Sequence, residues 1–111
     1  MLNVQEALTA AHVPGYRGAF RPLTGQRDPP PVYCAYTLTR GPIWDQEDGP
    51  SAERVKAFLH LFSFGDPESA EAAIEAAMRA EGWGLVRVTE SDDHSAGLYE
   101  VLSEWSGVRS L

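Results

Sequence analysis

Three histidines, one cysteine and sixteen carboxylates are the side chains from which this chain could assemble chemistry. His12 ends an apolar-periodic stretch, His60 sits between aromatics, and His94 follows Asp92 and Asp93. A metal centre needs several ligands whose spacing turns them toward one point. Asp92-Asp93-His94 supplies adjacent residues, which in an extended chain point to opposite sides and cannot all grip one ion. The run Asp45-Gln46-Glu47-Asp48-Gly49 has calcium-loop composition but lacks the alternating carboxylates and the later bidentate Glu. Cys34 stands between Tyr33 and Ala35, with no base or cation beside it to favour a thiolate, and reads as a small buried hydrophobe. The sequence contains no nucleophile elbow, no phosphate-binding loop and no dinucleotide fingerprint. With so many acidic residues on a small surface, chance carboxylate pairs are inevitable, so no acid–base pair can be assigned. The sequence predicts a non-enzyme with no catalytic residues, no cofactor and no metal.

The elements that would position any site are clearer. Asn3 and Glu6 have capping-box spacing, and Val4, Leu8 and Ala11 form a short apolar stripe, predicting a helix over 3–12 that Pro14-Gly15 ends. Residues 17–31 contain Pro22, Pro29, Pro30 and Pro31 and three of the nine basic residues, Arg17, Arg21 and Arg27. This composition predicts an irregular Pro/Arg arm or loop. Residues 32–39 alternate, with Val32, Cys34, Tyr36 and Leu38 on one face of a strand. Gly41-Pro42 predicts its end and the start of an acidic loop through Trp44, Asp45, Glu47 and Asp48. Over 54–64, Val55, Ala57, Leu59 and Leu61 define a core face. Arg54, Lys56, Phe58, His60, Phe62 and Phe64 define the opposite one, charged at its start and aromatic at its end. That pattern predicts a cover from the helices or from another subunit.

A second helix is expected over 67–81. Asp66 is its N-cap, Pro67 and Glu68 suit its first turn, Ala70, Ala73, Ile74, Ala77 and Met78 face inward, and Gly82 closes it. Strands over 84–90 and 98–106 then form a hairpin around a polar loop, 91–97. The chain is expected to be a single domain, 1–111, of the α+β class. About four strands in a mainly antiparallel sheet are backed by two helices, in the order α-β-β-α-β-β.

The net charge of −7 disfavours direct capture of nucleic-acid phosphates. No apolar run approaches the roughly 20 residues that span a bilayer. The first residues lack a basic segment followed by an apolar one, which predicts retention in the cytoplasm and no membrane partner.

The short helix leading into Val13-Pro14-Gly15-Tyr16, the strand after Pro30-Pro31 and the acidic stretch around Trp44-Asp45 come first. The strand Val55–Phe62, the Ala/Glu-rich helix ending at Glu81-Gly82-Trp83 and the final hairpin with Leu98-Tyr99-Glu100-Val101 follow. In that order they resemble the tail-completion, or tail-terminator, proteins of long-tailed bacteriophages and prophages. The resemblance spans nearly the whole chain through order and texture; the Pro/Arg arm has no counterpart in it. It implies an α/β subunit that forms a ring with copies of itself, a hexamer in the family, at the head-proximal end of the tail tube. Its partners would be the tail tube protein and the head connector protein. DNA would pass through the lumen without specific binding. The protein would be found in the bacterial host cytoplasm during assembly and then in the virion tail. The family has no catalytic residues to transfer.

The expected contact surfaces are the projecting loops: 41–50 with Trp44, Asp45, Glu47 and Asp48; 91–97 with Asp92, Asp93 and His94; and the arm with Arg17, Arg21 and Arg27. Arg54 and Lys56 are expected to meet an acidic surface of a neighbouring subunit, with the 45–48 loop as its candidate. A small non-enzymatic module that binds a peptide or protein through a sheet edge is the alternative reading.

Overall fold

A computed structural model describes residues 2–20, 30–45, 49–91 and 97–110, with only the backbone described at 44, 45 and 49–51. The chain is α+β. Its elements are α1 (Val4–Ala10), β1 (Gly15–Arg17), β2 (Val32–Asp45), β3 (Gly49–Phe64), α2 (Glu68–Ala80), β4 (Gly84–Glu90) and β5 (Leu98–Ser110). The sheet has five strands rather than four, in the order β1-β2-β3-β5-β4. β1 runs parallel to β2, and every other pairing is antiparallel.

Both helices are built as their termini dictate. Asn3 Oδ1 accepts the Glu6 N–H at 3.0 Å at the start of α1. Asp66 Oδ1 accepts the Glu68 N–H at 3.0 Å at the start of α2, where the N-cap position itself is Pro67. Both helices end in the same pair of backbone bonds. His12 N donates to Thr9 O and Val13 N to Leu8 O; Gly82 N donates to Arg79 O and Trp83 N to Met78 O. This Schellman arrangement needs a left-handed residue. Gly82 supplies it freely at φ 95°, whereas His12 adopts φ 59° with a side chain. The first helix is therefore closed by His12, two residues before Pro14-Gly15.

The core lies on one face of the sheet. Cys34 and Tyr36 of β2, Val55, Ala57, Leu59 and Leu61 of β3, and Val101 and Trp105 of β5 are buried there. Val4, Ala7 and Leu8 of α1 and Ile74 and Met78 of α2 cover them. Leu2 reaches into the same core. A Cβ at Gly107 would come within 2.5 Å of its side chain, so glycine at that position lets Leu2 lie against β5.

Four boundaries differ from the sequence reading, each for a reason of pairing. Gly15-Tyr16-Arg17 is a strand, so Arg17 belongs to β1 and not to an irregular arm. Three residues are too few to show a period, and the strand is held by β2 and by α1, whose Leu8 leaves no room for a side chain on Gly15. Gly41-Pro42 does not stop β2, which runs on to Asp45 against a β3 that begins at Gly49. Beyond Tyr36, no strand pairs with the outer edge of β2 among the described residues, and such an edge tolerates proline. The expected acidic loop is thus mostly a β-hairpin. β5 likewise continues past 106 to Ser110, because β3 extends beside it as far as the Ala52–Ser110 pair.

Candidate functional site

Both helices occupy the same side of the sheet, so among the described residues its opposite face is open. Alternation along β3 places Arg54, Lys56, Phe58, His60, Phe62 and Phe64 there, and Phe64 is 54% exposed. Of the two covers expected, helices or another subunit, the helices do not supply one, since both are committed to the core face. Aromatic rings run across the open face on three strands and the segment after β1. Phe20 meets Tyr16 edge-on at 5.1 Å, Tyr16 meets Tyr33 at 6.1 Å, and Tyr33 stacks on Phe62 at 4.9 Å. The last pair is directly cross-strand, the position where aromatic side chains reinforce a sheet most. His60 lies 5.9 Å from Phe62 and has Nδ1 4.0 Å from the Glu100 carboxylate. Partial burial, then Glu100, then Tyr16 raise the Tyr33 phenol above its ordinary value.

The charged residues separate along the strands. At the hairpin end, Arg17, Leu38, Thr39, Arg40, Val55 and Arg109 line an open cleft of about 430 Å3 on the helix side of the sheet. Arg109 is held by Glu53 at 2.5 Å. Arg54 and Lys56 lie on the opposite face, bordering a second shallow cleft with Arg40 and Ile43. At the far end of the strands, Asp66, Pro67, Glu68, Glu71, Glu90 and Tyr99 line a cleft of about 380 Å3. Glu71 Oε1 is shielded from solvent and has no hydrogen-bond partner among the described residues. Burial, and then the charges of Glu90, Asp66, Glu68 and Glu75, push its carboxyl above the usual glutamate range.

That shift makes a prediction. Glu71 is disfavoured as an anion in the folded state. The fold carries no penalty from it below the ordinary glutamate value, and acquires one as pH rises from there through the raised value. Glu71→Gln is therefore expected to raise the melting temperature near pH 7 and to leave it unchanged at about pH 4. Thermal melts at the two pH values check this. A lower melting temperature for the variant at pH 7 would mean that the carboxylate is held by a favourable contact.

Other features offer little chemistry. The Cys34 thiol is fully buried and pushed up to about 12 by that burial, which keeps it protonated. Among the described residues, no group of three His, Cys, Asp or Glu side chains could hold a metal ion. A small apolar pocket of about 50 Å3 between α2 and the sheet, walled by Leu59, Ile74 and Trp105, is too small for a metabolite. No described helix is long and apolar enough to cross a membrane.

Of the surface residues expected from sequence, Arg17 faces the basic cleft, while Arg54 and Lys56 are exposed on the other side of the sheet. Trp44 and Asp45 end β2, paired with Pro50 and Gly49. The backbone register therefore puts Asp45 on the same hairpin as Arg54 and Lys56, beyond them toward its end. Arg21, Arg27, Glu47, Asp48, Asp92, Asp93 and His94 lie outside the described residues. Sequence reasoning missed Arg40 and Arg109, although both continue the inward parity of their strands: Leu38 to Arg40, and Trp105 through Gly107 to Arg109. It also missed the acidic cleft, whose members come from 66–71, 90 and 99. A scan against protein-family models finds no matching family, and a search of curated proteins finds no matching sequence.

Proposed function

We propose that this protein is a structural assembly subunit that forms a ring at the head-proximal end of a phage tail tube. In that role it stops tube growth and joins the tail to the head. The observation that carries the reading is the open sheet face. A five-stranded sheet with helices on one side only leaves an aromatic row half-exposed across β1, β2 and β3, and apolar surface of this kind marks contact with other chains. The hairpin of β2 and β3 adds reach, since the molecule extends 55 Å along its longest axis against 32 and 22 Å across. The phage setting comes from the resemblance in the order of elements. The partners are copies of the chain itself, with a hexamer as the family's arrangement, together with the tail tube protein and the head connector. An acidic subunit suits a lumen through which DNA slides without adhesion.

One observation favours a second reading. The outer edge of β2 from Thr37 to Asp45, and β4 as a whole, present strand edges to which an extended peptide could add. A peptide-binding module would use those edges and would not need a ring.

Deletion of the gene from its parent phage tests the first reading. The expected result is tails of uncontrolled length and filled heads left unjoined. Tails of normal length attached to filled heads in the deletion strain would overturn the terminator role.

A further inference from the structure

The two charged clefts lie at opposite ends of the strands and open on the same side of the sheet. Arg17, Arg40 and Arg109 share the inward parity of Tyr36, Val55 and Glu53, their cross-strand partners. Glu90 shares the inward parity of Val101 at the other end. Along β3, Val55, the partner of Arg40, lies six positions from Leu61, whose partner Val101 pairs with Glu90, a separation of roughly 20 Å. That is more than twice the roughly 8 Å over which exposed charges act at physiological salt. The basic end therefore cannot neutralise the acidic end of its own molecule.

Among the described side chains, each end is also short of local compensation. Arg17 and Arg40 have no carboxylate partner among the described residues, and Glu53 serves Arg109 alone. Among the described residues no lysine or arginine lines the acidic cleft, and Glu71 there is partly buried and then opposed by the charges of its neighbours. A chain of net charge −7 that gathers arginines at one end carries, at the other, the surface that matches them.

We propose that the Arg17–Arg40–Arg109 cleft of one copy receives the Asp66–Glu68–Glu71–Glu90 end of a second copy. This rests on the ring reading above and names its subunit contact. Such a contact joins two different surfaces, so every added copy leaves one end of each sign free until the ring closes. Guanidinium groups suit the task, because their planar forks bind carboxylates in pairs and lose little hydration on doing so. A polyanion such as nucleic acid would also fit the basic end, but it would leave the acidic end unmatched and would meet the repulsion of the whole chain.

Charge exchange between the ends tests the proposal. One variant carries Arg17→Glu with Arg40→Glu; another carries Glu68→Lys with Glu90→Lys; a third carries all four changes. All four positions are on the surface, so circular dichroism and melting serve as fold controls. Sedimentation of the purified full-length chain at low and high salt reads the association. Wild type is expected to self-associate at low salt and to dissociate at high salt. Each two-site variant alone is expected to associate at least about tenfold more weakly. Their equimolar mixture, which restores opposite charge at every contact between unlike copies, and the four-site variant are both expected to recover association. Association that persists in both two-site variants, or a mixture that stays monomeric, overturns this contact and leaves the ring reading to the deletion strain. A wild type monomeric at every concentration and salt also overturns it, because the two ends then have no affinity for each other.

Discussion

Trp105→Ala is expected to destabilise the fold by about 3–5 kcal/mol, the usual cost of removing a buried tryptophan from a packed core. Trp105 is only 2% exposed and is the largest of the fully buried side chains. It stands opposite Ala57 on β3 and Leu85 on β4, so one indole fills the sheet's inner face across three strands. Ala57 is itself fully buried, and its small side chain leaves the room that the indole takes. The ring also walls the pocket beneath Ile74, and its Nε1 donates to Ser103 Oγ at 2.9 Å. A domain of this size has about 5–15 kcal/mol of stability in all, so the melting temperature should drop by roughly 15 °C or more. Trp105→Phe keeps most of the volume and is expected to cost about half as much or less. Thermal denaturation of both variants checks the order. Similar melting temperatures for wild type and Trp105→Ala would mean that the helices and the sheet do not share one core.

Elements whose signals are local could be read directly. α2 has an acceptor at Asp66, an inward stripe through Ile74 and Met78, and a glycine at the one position that needs positive φ, so the expected 67–81 falls within a residue of the observed helix. β4 coincides with the expected 84–90, and the inner face of β3 was legible from alternation. The misread boundaries depend on partners distant in sequence. Gly41 and Pro42 punctuate a chain read alone, yet opposite Arg54 and Glu53 they stay in an antiparallel ladder. β1 exists because Pro14 and Tyr36 carbonyls accept N–H groups on either side of a three-residue parallel pairing. No pattern within Gly15-Tyr16-Arg17 announces that. The order β1-β2-β3-β5-β4, with β5 inserted beside β3, is a property of register and not of composition.

The surface divides in the same way. Alternation separated Phe58 and Phe62 from the core face, but it could not tell which side the helices take. Of the two covers expected, helices or another subunit, the helices do not supply one for that reason. The charged ends were hidden by distance along the chain. Glu68 and Glu90 meet at one cleft only because α2 runs back along the sheet and β4 returns beside it. Arg40 and Arg109 meet only because both strands outrun their expected ends. Charge counting gives the excess of acid, and only the fold sorts it into poles.

Shortening the hairpin is expected to abolish assembly while leaving the subunit folded. Gly41 and Arg54 are a register pair, so 42–53 can be replaced by Asn-Gly, the two-residue turn whose twist matches such strands. The core stops short of this excision: Val55 is its outermost buried residue on β3, and Leu38 packs against it from β2. Of the excised residues whose side chains are described, Pro42 is exposed, and Ile43, Ala52 and Glu53 are half-buried. The Arg109–Glu53 pair, open to solvent on the arginine side and half-buried on the glutamate side, is lost at a cost of about 1 kcal/mol. Melting should therefore change by only a few degrees. Function should change completely, because the excision removes the outer part of the free edge of β2, from Pro42 to Asp45, and the part of the molecule that reaches furthest beyond the helices. A parent phage carrying the shortened gene is then expected to reproduce the tail defects of the deletion strain, with the variant present at normal levels. Normal tails built on the shortened chain would move the essential contact off the hairpin and onto the parts that the excision keeps, the Arg17–Arg40–Arg109 cleft and the open face of Tyr33 and Phe62.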